Sequence, residues 1–78
     1  MYMLKPRTRI SALARVILTE MHKTRRPMEM AAIVRLAKRH GCTPADARKA
    51  AHNLVEGRHI EFTSNPLAIE LQLVEGEA

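Results

Sequence analysis

The stretch GCTPADARKAAHNLVE, residues 41–56, decides how this chain folds. Gly41 stands where a preceding helix needs a left-handed C-terminal cap, a conformation glycine adopts without steric cost. Thr43 reads as the N-cap of the next helix, with Pro44 at its first position and Asp46 at its third. Thr43-x-x-Asp46 is a capping box with Asp in place of the commoner Glu. One helix ends and another begins across about three residues, which sets the two at a steep angle. The new helix, residues 44–56, divides into two faces. Ala47, Ala50, Ala51 and Leu54 make a small apolar face; Arg48, Lys49, His52 and Asn53 make a polar, mostly basic one. Such a division suits a helix whose back packs closely on a neighbour and whose front meets a nucleic-acid groove. A solvated helix face is the plainer reading of the same four polar residues.

Upstream, residues 29–40 form a helix with Met30, Ile33, Leu36 and Ala37 on its inner face. Before it, residues 8–23 repeat Ile10, Leu13, Ala14, Ile17 and Met21 at the helical period, with Val16 and Leu18 widening the stripe. Arg25-Arg26-Pro27 ends that helix near Thr24. Residues 1–7 make an N-terminal arm carrying Tyr2, Met3 and Leu4, where Pro6 disfavours helix at Lys5. After Gly57 the period changes to two. Ile60 and Phe62 alternate with Glu61 and Thr63, Ser64-Asn65-Pro66 makes a turn, and Leu67, Ile69, Leu71 and Leu73 alternate with Ala68, Glu70 and Gln72. This predicts an amphipathic hairpin with one face on the core. The expected fold is mostly α with a small β-hairpin: one domain over residues 8–74 and a flexible tail over 75–78.

Seventy-eight residues allow a single small domain. Its core material is 8 Leu, 5 Ile, 4 Val and 1 Phe. A net charge of +5 and a pI of about 10.2 suit a polyanionic partner, or simply an Arg-rich solvated surface. The single cysteine, Cys42, excludes an intramolecular disulfide and fits a reducing cytosol. No apolar run approaches the ~20 residues of a membrane span, and the N-terminus lacks the apolar run of a signal peptide. The expected setting is cytoplasmic, without a membrane partner. Cys42 lies in the turn, where a small side chain packs, and no second cysteine completes a zinc pattern. His22, His40, His52 and His59 are scattered. We expect no metal, no cofactor, no catalytic residue and no enzymatic activity.

The set Ile33…Ala37…Gly41-Cys42-Thr43…Ala47…Ala51…Leu54…Gly57…Ile60 resembles the winged helix-turn-helix domains of DNA-binding regulators, over about residues 10–74. The resemblance implies three helices plus a two- or three-stranded wing, with helix 44–56 in the major groove of double-stranded DNA, in a small transcriptional regulator. It implies Thr43, Ala45, Arg48, Lys49, His52 and Asn53 as the DNA-facing residues. Arg48 suits guanine O6/N7 and Asn53 suits adenine N6/N7; Thr43 and the N–H groups at the helix start suit a phosphate. Lys5, Arg7, Arg9, Arg25 and Arg26 are further phosphate contacts, which set affinity rather than sequence choice. Two features favour a rival: the wing tip, residues 63–66, carries no Lys or Arg, and Asp46 adds a negative charge beside the reading face. The rival is a winged-helix protein-interaction module, such as a phage or mobile-element inhibitor or an accessory subunit of a nucleic-acid machine. Residues 2–4 and the broad stripe of the first helix either cover the open side of the hairpin or build a homodimer, which would space two recognition helices about 34 Å apart.

Overall fold

The apolar stripe of the first helix runs the length of the core. Ile10, Leu13, Ile17 and Met21 are all buried along it. The computed structural model describes residues 6–76, with side chains from Thr8 onward. Six elements follow in order: α1 (Pro6–Thr24), β1 (Met28–Glu29), α2 (Met30–Arg39), α3 (Pro44–Glu56), β2 (Ile60–Phe62) and β3 (Glu70–Leu73). α1 begins at Pro6 rather than residue 8, so the last two residues of the expected arm belong to the helix. Proline at a helix start costs nothing, because its missing N–H would have no partner there. Residues 1–5 of the arm lie outside the described residues, as do 77–78 of the tail.

Ile33, Leu36 and Ala37 of α2 complete the core with Ala47, Ala50, Ala51 and Leu54 of α3, and with Ile60 and Leu71 of the sheet. The alanine face of α3 packs on α1 more extensively than on α2. Its small side chains therefore serve two neighbours at once. Such side chains let helix axes approach toward the short end of the ~8–10 Å range.

Each helix stops on a left-handed residue: Arg25 (φ 56°), Gly41 (φ 75°) and Arg58 (φ 63°). At the end of α1 the Arg25 N–H donates to the Met21 carbonyl at 2.9 Å. At the end of α2 the Gly41 and Cys42 N–H groups donate to the carbonyls of Lys38 and Ala37; at the end of α3 those of Arg58 and His59 donate to Val55 and Leu54. Both pairs form the doubly bonded C-terminal cap. Gly57 plays a different part. Its φ is −76°, and a Cβ there would lie 3.0 Å from the His59 ring and 3.3 Å from the Asn53 carbonyl oxygen. Glycine is favoured at 57 by tight space and at 41 by conformation.

The sheet is antiparallel in the order β1-β3-β2. The sequence reading lacked β1, because two residues carry no legible period. Met28 pairs with Leu71 and Glu29 with Glu70, and the Met30 N–H continues the ladder to the Ile69 carbonyl at 2.8 Å. In the hairpin, Ile60 pairs with Leu73 and Phe62 with Leu71. The expected inward alternation holds only near the helices: Ile60 and Leu71 are buried and Leu73 half-buried, while Phe62, Leu67 and Ile69 are 60%, 92% and 63% exposed. β3 starts only at Glu70, because the chain before it turns, with the Leu67 N–H bonded to Asn65 Oδ1 at 2.9 Å. The hairpin tip reaches past the helices, and no core exists there to receive its side chains. No helix among the described residues is long and apolar enough to cross a membrane.

Two substitutions test this packing by urea denaturation. Ala47→Val inserts methyls into a fully buried face and is expected to cost about 1–3 kcal/mol by overpacking. Gly41→Ala meets no atom within 4 Å, so its cost is purely conformational, about 1 kcal/mol. A loss below about 0.5 kcal/mol for Ala47→Val, within the range of surface changes, would show the interface to be loose.

Candidate nucleic-acid interface

The capping box foreseen at the start of α3 is present in both halves. The Thr43 hydroxyl accepts from the Asp46 N–H at 3.1 Å, and the Thr43 N–H donates to Asp46 Oδ2 at 3.0 Å. This changes the expected phosphate site. Pro44 has no N–H, those of Thr43 and Asp46 are used within the cap, and a carboxylate occupies the position an anion would take. Thr43 is exposed, but it is committed to the cap, and of the first-turn N–H groups only that of Ala45 is left for a phosphate, beside the Asp46 carboxylate.

Asp46 is also not on the outer face. It is 9% exposed and turned toward α1, where Arg9 Nη2 donates to its Oδ1 at 3.3 Å and Arg9 Nε lies 3.2 Å from its Oδ2. The Nε proton is poorly aligned and makes no hydrogen bond, so the contact is an ion pair held by one aligned bond. Arg9, expected as a phosphate contact, is here the ion-pair partner of Asp46, with its side chain 40% exposed. The Asp46 carboxyl is held below its ordinary value of 3.8, first by the Thr43 backbone N–H, with the Arg9 and Thr43 side chains assisting against desolvation.

The remaining outward residues of α3 gather as expected. Ala45, Arg48, Lys49, His52 and Asn53 are all exposed on one helix whose opposite side is buried. Neither Arg48 nor Lys49 has an ion-pair partner among the described residues. His52 Nε2 contacts the Glu56 carboxylate one turn on, so this side chain is engaged within the helix. Arg25 and Arg26 are exposed, but they line a cleft with residues 72–76 at the end of β3 rather than extending the α3 face. Lys5 and the side chain of Arg7 lie outside the described residues.

Sequence reasoning passed over two charged surfaces. Arg35, Lys38 and Arg39 are exposed on α2; their helical spacing was readable, but attention fell on the inner face. On the sheet, Glu29 lies opposite Glu70, and Glu61 opposite Gln72. The Glu29 pairing was hidden with β1. Cys42 is half-buried against the core, with its Sγ directed to the His40 carbonyl at 3.7 Å. Among the described residues, no three His, Cys, Asp or Glu side chains are grouped to hold a metal. Comparison of the chain with protein-family profiles, with curated proteins and with solved structures found no match.

The Asp46 junction makes stability depend on pH. A carboxyl held low in the folded state stabilises it fully above the unfolded value, and the benefit is lost as pH falls through the folded value. Asp46→Asn is therefore expected to melt below wild type at pH 7, with the difference shrinking as pH drops below 3.8. A Tm difference that stays constant from pH 7 to pH 3 would show that the charge of Asp46 contributes nothing.

Proposed function

We propose that the chain is a winged helix-turn-helix protein that binds double-stranded DNA through the outer face of α3, acting as a small transcriptional regulator. The observation that carries this reading is the exposed cluster of Arg48, Lys49, His52 and Asn53 on a helix whose back is buried. The withdrawal of Asp46 onto Arg9 supports it, because the one acid at the start of the face is paired with a cation of α1. Arg48 carries the bidentate geometry for guanine, Asn53 that for adenine, and Lys49 serves a phosphate. Ala45 leaves room for close approach. Arg25 and Arg26 remain candidates for phosphate contacts beside the core site.

The second reading, a protein-interaction module, is favoured by the wing. Its charged residues are Glu61 and Glu70, with Glu29 beside them on β1; its tip is uncharged and flanked by the exposed Phe62, Leu67 and Ile69. A wing of that composition repels a phosphate backbone. The DNA reading therefore rests on α3 alone.

Titration of mixed-sequence duplex DNA at two salt concentrations separates the two readings. DNA binding requires log K to fall with log salt at a slope of about −0.9 per phosphate neutralised. Lys49→Ala should weaken all sequences alike and lower that slope by about 0.9. Arg48→Ala should remove roughly 1–3 kcal/mol of discrimination at one base pair. Absence of binding at low salt would leave the interaction module as the better account.

A further inference from the structure

The large apolar side chains exposed among the described residues are Phe62, Leu67 and Ile69, all at one end of the hairpin. A single exposed leucine is ordinary; three such residues gathered on one small projection mark a contact surface. Phe62 stands opposite the buried Leu71, and Ile69 lies two residues before it. Both therefore continue the inner face of the sheet beyond the cover of the helices. The charges around them are acidic. Glu61 accepts from Gln72 and Glu70 from the Thr63 hydroxyl, and neither has a cation partner among the described residues. Glu29 lies directly across from Glu70, a like-charge pairing that a cation would relieve.

Between α1, β1 and α2 lies an open groove of the opposite character. Met28 and Ala32 give it half-buried apolar surface, and Arg35, Lys38 and Arg39 stand exposed around it, with Glu20 on the α1 side. None of these three cations is ion-paired with a described residue. Wing and groove share no residue, so one copy can present both.

We propose that the wing of one copy docks into the α1–α2 groove of a second copy, head to tail. Entering edge-on, the hairpin turns Phe62, Leu67 and Ile69 to Met28 and Ala32 on one side, and Glu61 and Glu70, on its other face, to Arg35, Lys38 and Arg39. Arranged head to tail rather than as a reciprocal two-fold exchange, the contact is heterologous: each added copy leaves one wing and one groove free, and assembly continues past two. An interface of this small size is weak and responds to concentration and salt. It uses no residue of α3 and stands independently of DNA binding.

Sedimentation equilibrium of the full chain from about 10 μM to about 1 mM, at low and high salt, tests the proposal in the affinity range expected of weak contacts. Wild type should rise beyond two copies with concentration at low salt and shift toward monomer at high salt. A wing variant (Phe62→Ser with Leu67→Ser) and a groove variant (Arg35→Glu with Arg39→Glu) change only exposed side chains, and circular dichroism verifies their folding. Each alone should stay monomeric. Mixed in equal amounts they should form a dimer and stop there, because only one intact wing and one intact groove can meet. A wild type that is monomeric throughout overturns the proposal. So does a wild type that halts at two copies, or either variant associating on its own as wild type does.

Discussion

The close seat of α3 is the constraint on which the remaining structure depends. Ala47, Ala50 and Ala51 present nothing beyond a methyl group to α1 and α2, and all three are essentially without solvent contact. Packing energy at such a surface comes from backbone approach rather than from side-chain volume, so it is lost steeply with small displacements. The two ends of the helix are fastened separately. Thr43 and Asp46 close the first turn, and Arg9 ties that turn to α1. Leu54 is buried at the other end, where the cap at Arg58 delivers Ile60 to the core. A helix held this way offers its outer side chains on a rigid support, and a recognition surface needs that support if its donors are to keep their spacing.

Net charge conceals how unevenly the charges lie. Nine of the 13 Lys and Arg residues lie in the helices against three acids, while β1 and the hairpin contribute Glu29, Glu61 and Glu70 and no cation. The molecule is therefore polarised, with cationic helical surfaces and an acidic sheet. Asp46 fits this division once its position is known. By sequence it interrupts a basic face; in three dimensions it is the internal counter-ion of Arg9. With Asp46 turned inward onto the half-exposed Arg9, the α3 face is more uniformly basic than its sequence suggests.

Much of this was legible in residues 41–56. Gly41, Thr43, Pro44 and Asp46 each favour one backbone arrangement for a local steric or hydrogen-bonding reason, and α3 spans Pro44–Glu56 as its sequence indicates. The inner faces of α1 and α2 followed from the helical period. What the sequence hid was non-local. No periodicity announces a two-residue strand such as β1, and no pattern shows that a hairpin alternating correctly to Ile69 outruns its core at Phe62. The partner of Asp46 lies 37 residues away, so Arg9 looked like one more surface cation. The candidate site was readable as a helix face, since helical geometry alone gathers Arg48, Lys49, His52 and Asn53. The roles of Thr43 and Arg9 were not, because each depends on what the Asp46 carboxylate touches.

β1 runs into α2 without an intervening loop: Glu29 is the last strand residue and Met30 the first of the helix. Glu29 supplies no side-chain cap to α2; the Met30 N–H is instead taken by the Ile69 carbonyl of the hairpin. The sheet thus does the capping, and α2 and the wing are mechanically one lever. Force applied at the hairpin tip reaches the first turn of α2 through a main-chain hydrogen bond and a continuous backbone, with no slack to absorb it. The Met30 amide is thus expected to exchange together with the sheet rather than with the last turn of α2, because its acceptor belongs to the hairpin.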